Sequence, residues 1–149
     1  MRTLIVEDDF TSRKLLQMLI SPYSDFDIAV DGKEAVEAFR KSLEDDQPYD
    51  LICLDIEMPK MDGHAALKVI RKIENDIGVL KHHRVKVIMT TSLSDRKNIM
   101  RAINEKCEAY LLKPIEKNKL FNTIKSLDIR IIFKTITVHG THQKRTKMI

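Results

Sequence analysis

Leu51-Ile52-Cys53-Leu54-Asp55 decides the fold. Four apolar residues run without a polar partner and end on a carboxylate. A strand with no alternation must be covered on both faces, which is the mark of a parallel sheet between helices. The flanks agree. Before it lie Val36, Phe39 and Leu43 at helical spacing and the acidic loop Glu44-Asp45-Asp46-Gln47-Pro48. After it, Ala66, Ile70 and Ile73 mark another helix. Further out, Thr3 to Val6, Phe26 to Val30, Val85 to Met89 and Ala109 to Leu112 read as strands. Leu15, Leu16 and Leu19 form a helix behind a Thr11-Ser12 cap, Asp31-Gly32 closes the second strand, and Ile99 with Ile103 belongs to a fourth helix. Leu120, Ile124 and Leu127 place a fifth. The alternation predicts an α/β fold, a doubly wound five-stranded parallel sheet.

Right-handed crossovers carry the C-terminal ends of all strands to one edge, where ligands of such folds bind. The strands exit there into Glu7-Asp8-Asp9, Asp55, Thr90-Thr91-Ser92 and Lys113-Pro114. Carboxylates ~4 Å apart repel by roughly 4 kcal/mol at an effective dielectric near 20, so they share a site only around a cation. With oxygen donors and no Cys or His in the set, Mg²⁺ fits and zinc does not. A lysine beside them suits a phosphoryl group, a hydroxyl adds a hydrogen bond, and an aspartate can attack phosphorus to form an acyl phosphate. Singly, each residue has a structural reading: Asp55 a turn or cap, Glu7 to Asp9 an acidic first turn, Thr91 a cap for a helix near Asp95, Lys113-Pro114 a strand exit, Tyr110 core. Their convergence on one edge favours the chemical reading.

Composition narrows the classes. Across 149 residues, 43% hydrophobic and 32% charged residues suit one globular domain. No apolar run approaches the ~20 residues of a membrane span, and the N-terminus does not read as a signal peptide. Glycines at 32, 63, 78 and 140 stand too far apart for a phosphate-cradling loop. Cys53 and Cys107 read as buried apolar residues, and His64, His82 and His83 as solvated. The whole net charge of +4 lies in residues 128–149, where Arg130, Lys134, Lys144, Arg145 and Lys147 face Asp128. A globally basic nucleic-acid binder is therefore not indicated, nor is a membrane partner. A cytoplasmic protein is expected.

The motifs Leu4-Ile5-Val6-Glu7-Asp8, Leu54-Asp55-Ile56-Glu57-Met58-Pro59, Met61-Asp62-Gly63, Met89-Thr90-Thr91-Ser92 and Tyr110-Leu111-Leu112-Lys113-Pro114 together resemble the receiver domain of bacterial two-component response regulators. The resemblance covers roughly residues 2–127. It implies the flavodoxin-like strand order 2-1-3-4-5, Asp55 as phosphate acceptor, Lys113 as the phosphate-contacting lysine and Thr91 as the switch hydroxyl. It implies Mg²⁺ held directly by Asp8, through water by Glu7, and by Asp55 and the Glu57 carbonyl. It also implies a cis Lys113–Pro114 bond and Tyr110 as the aromatic residue coupled to Thr91. Family residues flanking the hydrolytic water correspond to Glu57 and Leu93, and a bulky Leu93 implies slow phosphate loss. Two departures stand out: Lys106-Cys107 where Gly-Ala is common, and a long stretch from Asn75 to Arg84.

The domain reading is a receiver over 1–127 and a basic C-terminal extension over 128–149. No output domain fits in the extension, so a stand-alone receiver is expected, not an enzyme. Its partners would be a histidine kinase or histidine phosphotransfer protein and a downstream protein target. The usual docking surface corresponds to Asp95–Asn104, Ala109–Leu112 and Glu116–Leu127. Alternatives are a phosphorelay carrier passing phosphate to a histidine phosphotransfer protein and an aspartyl-phosphate phosphatase-like enzyme. Leu127 to Val138 has a strand composition. It would pair with the domain's own sheet edge or, as favoured here, with a second copy in a homodimer.

Overall fold

Five short apolar segments pair into one parallel sheet in the order β2-β1-β3-β4-β5. The computed structural model describes residues 1–92, 97, 100, 101 and 106–129. The chain runs β1 (Arg2–Val6), α1 (Phe10–Ile20), β2 (Asp25–Ala29), α2 (Gly32–Glu44), β3 (Leu51–Asp55), α3 (Gly63–Asp76), a 3-10 turn (Lys81–His83), β4 (Lys86–Thr91), β5 (Ala109–Leu112) and α4 (Lys117–Ser126). Lys97, Met100 and Arg101 are helical. Of the tail strand of the sequence reading, Leu127 to Ile129 form a turn and its exit, and the rest, like Leu93, Ile99 and Ile103, lies outside the described residues.

Every residue of β3 is buried, because the strand sits mid-sheet with helices on both sides. Successive side chains go to opposite faces. Ile52 and Leu54 join Leu4 and Val6 against Phe39 of α2 and Ala66, Leu67 and Ile70 of α3. Leu51 and Cys53 join Ile5 and Ile88 against Leu16 and Ile20 of α1 and Leu120 and Ile124 of α4. The edge strand β2 is largely exposed, consistent with its sequence Asp-Phe-Asp-Ile-Ala.

Local chemistry corrects four readings. The cap of α1 is Asp9, not Thr11-Ser12: its carboxylate accepts from the Ser12 N–H at 2.8 Å, and the helix starts at Phe10. His64 is buried, not solvated. The Gly63 N–H donates to the Ile56 carbonyl at 2.9 Å, which draws the first turn of α3 onto the sheet and carries His64 inward. Cys53 is buried, but Cys107 is only half-buried. Asp31 does more than close β2, since its carboxylate accepts from the Glu34 N–H and caps α2. The two departures from the family pattern also have structures. Lys106 adopts a left-handed backbone, φ 64°, where glycine is free of strain. The long stretch before β4 contains the 3-10 turn.

Away from the strand exits, the Arg71 guanidinium joins α3 to the starts of β4 and β5. It donates to Glu74 at 2.7 Å, to the Val85 carbonyl at 2.9 Å, to the Lys106 carbonyl at 3.0 Å and to both Glu108 oxygens at 3.1 Å. Glu74 and Glu108 in turn accept from the Val85 and Val87 N–H groups.

Candidate functional site: a carboxylate and lysine cluster at the strand exits

Glu7 and Asp8 follow β1, Asp55 ends β3, Thr91 ends β4 and Lys113 follows β5. Parallel pairing alone brings these exits to one edge. The Lys113 N–H donates to the Thr91 carbonyl at 2.7 Å, which fixes where its side chain begins. The Lys113–Pro114 bond is cis, as the resemblance implied.

Lys113 Nζ is the hub. It lies 2.8 and 2.9 Å from the two Glu7 carboxylate oxygens and 3.1 Å from Asp55 Oδ1. The Asp55 contact is an ion pair without hydrogen-bond alignment, leaving Oδ1 a buried acceptor with no hydrogen bond. Glu7 and Asp55 are buried and Asp8 is exposed, and ligand oxygens of the three lie within 4.8 Å of one another. Burial, then the Glu7 charge, pushes the Asp55 carboxyl up to about 8 against the pull of Lys113. Burial works to lower Lys113, but its hydrogen bond to Glu7 and the two carboxylate charges outweigh that and hold it above the usual lysine value. The cluster is thus short of positive charge. One lysine faces three carboxylates, the donors are all oxygen, and exposed Asp8 opens the site to solvent. A hard divalent cation such as Mg²⁺ fits this set, with Glu7, Asp8 and Asp55 to hold it.

The fully buried Thr91 donates its hydroxyl to Glu57 Oε1. The sequence reading gave Glu57 a backbone carbonyl to the cation, a place beside the water route and, in the phosphatase-like alternative, the part of second acid, so its contact with Thr91 went unseen. Two positions apart from Asp55 on the β3–α3 loop, its signal was spacing alone. Tyr110 on β5 is half-buried and packs on the α2/α3 face of the core. Gly63 is a further residue of the site. A Cβ there would stand 2.2 Å from the Asp55 carbonyl oxygen, so only glycine lets α3 start so close behind the acidic strand end. Its neighbour Asp62 caps α3 by accepting from the Ala65 N–H at 2.8 Å.

The sheet order and this site define a class, and comparison with known proteins gives its family. Residues 3–125 match the response regulator receiver domain model. The chain belongs to that family, a CheY-like receiver domain of two-component signalling. It is 31% identical over 128 residues to the chemotaxis protein CheY of Treponema pallidum, covering 85% of this chain and 81% of that protein. It is 33% identical over 126 residues to hybrid signal transduction histidine kinase B of Dictyostelium discoideum, covering 80% of this chain but 6% of the kinase. The chain likewise spans only 12% of probable histidine kinase 2 of Oryza sativa subsp. indica, at 28% identity. Among solved structures, the CheX–CheY–BeF3–Mg²⁺ complex of Borrelia burgdorferi superposes with a TM-score of 0.71 at 28% identity, covering 86% of this chain and 89% of that one. Receiver domains are signalling proteins. No helix among the described residues is long and apolar enough to cross a membrane.

Proposed function

We propose that Asp55 accepts a phosphoryl group from a phosphohistidine and that the modified domain presents a changed surface to a protein target. The observation that carries this reading is Lys113 Nζ held between Glu7 and Asp55, with Asp8 close by. An Asp55 carboxylate oxygen forms the new O–P bond as the P–N bond of the donor breaks, and the imidazole, already protonated on its other ring nitrogen, leaves as the neutral ring with the P–N electron pair. Lys113 shifts its charge toward the incoming phosphoryl oxygens, and its tether to Glu7 keeps it in range. Bound Mg²⁺, held by Glu7, Asp8, Asp55 and the Glu57 carbonyl, would hold Asp55 ionised and spread the transition-state charge. Thr91 has one hydroxyl proton. Turning it from Glu57 to a phosphoryl oxygen moves the end of β4 and, through Tyr110, the neighbouring surface. The receiver unit spans 1–127, with 128–149 as an extension. A cytoplasmic histidine kinase or phosphotransfer protein would be the donor. The Borrelia burgdorferi complex, which holds a CheY with Mg²⁺ and a BeF3 group beside CheX, supports both the cation and a protein target.

A relay role has its own support, since the hybrid kinase of Dictyostelium discoideum carries a segment 33% identical to this chain. The alternatives share the first step and differ in the second. Acetyl phosphate and Mg²⁺ should label the wild type but not Asp55→Asn. Thr91→Ala should be labelled yet bind a target as the unmodified protein does. Equal labelling of Asp55→Asn overturns the acceptor assignment. Transfer from labelled protein to a purified histidine phosphotransfer protein marks a carrier. Truncation after Leu127 should leave labelling intact, and light scattering of the truncated chain reports whether the extension makes a dimer.

A further inference from the structure

At the opposite end of the sheet, the starts of β4 and β5 and the 3-10 turn enclose an open cleft of about 850 Å³. Its walls include Arg71, Lys81, Arg84, Lys86, Lys106 and Glu108. Arg71 is already engaged by Glu74 and Glu108. Among the described residues, Lys81, Lys86 and Lys106 form no ion pair, and Arg84 donates to the neutral Asn75 side chain. Arg84 Nε is buried without a hydrogen-bond partner. Residues 1–127 hold as many acidic as basic side chains, so this clustering is local and not a spillover of net charge. Lys106 sharpens the point. Its backbone sits at φ 64°, where any side chain is strained, and its carbonyl is fixed by Arg71. A cation is therefore kept at the rim of the cleft at a position where glycine would fit better. On the segment leading into the 3-10 turn, Ile77 and Leu80 are 57% and 60% exposed. His82 is the only aromatic ring on the wall among the described residues, which makes a poor platform for stacking a nucleobase.

We propose that this cleft docks an acidic peptide segment of a partner protein. Carboxylates of the segment meet Lys81, Arg84, Lys86 and Lys106, one of them satisfies Arg84 Nε, and an apolar side chain covers Ile77 and Leu80. Steering by four unpaired cations raises the encounter rate at low salt. The cleft lies the length of β4 from the Asp55 edge, on the order of 17 Å. A docked partner leaves that edge open, so the site serves as a holding point that works whether or not Asp55 carries phosphate. It does not rest on the phosphoryl-acceptor reading.

The test is fluorescence anisotropy of the full chain with a fluorescein-labelled 12-residue peptide rich in Glu and carrying two Leu. The peptide should bind, and raising salt should weaken it. Affinity should fall at least tenfold with Lys81→Glu/Lys86→Glu, or when Gln replaces Glu in the peptide, and about threefold when Ser replaces Leu. Lys106→Gly should weaken binding while raising the thermal midpoint, which separates a charge kept for binding from one kept for folding. An unchanged thermal midpoint shows that the charge-reversed variant is folded. Absent binding, or binding indifferent to Lys81→Glu/Lys86→Glu, overturns the proposal. So does displacement of the peptide by tripolyphosphate combined with indifference to the Leu residues, since the cleft would then recognise compact anions.

Discussion

Asp55 ends a strand with no exposed face, and burial opposes its charge. In the metal-free chain its carboxyl is raised to about 8, chiefly by burial, from an ordinary 3.8. Between these values the folded chain keeps a proton that the unfolded chain has released. Stability therefore falls as pH rises from about 4 to about 8 and is unaffected by this group below that window. Asp55→Asn removes the conflict. In EDTA at pH 8 its thermal midpoint should exceed the wild type's by ~5 °C or more, and the two should converge near pH 4. Mg²⁺ should raise the midpoint of the wild type and not of the variant; scanning fluorimetry measures both. Thr91 offers a second residue-scale prediction. Its hydroxyl is donated to Glu57, and a typical net hydrogen bond is worth about 1 kcal/mol. Removing this rival acceptor by Glu57→Ala should raise the switched fraction of phosphorylated chains about fivefold. The Thr91 methyl resonance under acetyl phosphate reports that fraction. The cluster's residue types were legible as a motif set. Which of them Lys113 holds, and that Glu57 engages Thr91, depended on side-chain geometry that spacing does not encode.

At the scale of elements, the helix starts set the site's precision. Asp9, Asp31 and Asp62 each cap a helix that leaves a strand exit, so these three helix starts are fastened at the same edge as the carboxylates. The β3–α3 junction is the tightest, since a Cβ on Gly63 would collide with the Asp55 backbone. Gly63→Ala should cost about 2 kcal/mol, an overpacking value, and lower the thermal midpoint by roughly 4–8 °C. It should also slow acetyl phosphate labelling, because relief of the collision moves Asp55. An unchanged midpoint would mean the junction yields freely. The cap of α1 shows the limit of pattern reading. Thr11-Ser12 and Asp9 are both acceptable caps by residue type, and the winner was decided by which carboxylate reached an N–H of the first turn.

Across the whole molecule, the two ends of the sheet are built differently. The strand exits gather acidic groups around one lysine, and the strand entries gather basic groups around the Arg71 network. Arg71 is buried, and its removal strands Glu74 and Glu108 without a counter-charge. Arg71→Ala should destabilise the chain by about 3–5 kcal/mol, as expected for a broken buried ion pair. The triple change Arg71→Met/Glu74→Leu/Glu108→Gln should recover a large part of that loss. Urea unfolding of the three proteins measures the difference. An Arg71→Ala chain as stable as the wild type would show that water or a rearranged lysine replaces the guanidinium.

The sequence alone determined the fold class, because a five-residue strand without alternation can be buried only inside a doubly covered parallel sheet. It also determined which residues stand at the strand-exit edge, since strand direction and right-handed crossover leave one arrangement of exits. The tertiary structure decided the rest. His64 went inward because the backbone of Gly63 docks on the sheet, a close approach that no local pattern announces. Lys81, Arg84, Lys86 and Lys106 became one cleft only when α3, β4 and β5 were brought together. Lys81, Arg84 and Lys86 are near neighbours in sequence, but Lys106 and the Arg71 network come from other segments, so the cleft exists only in the folded molecule.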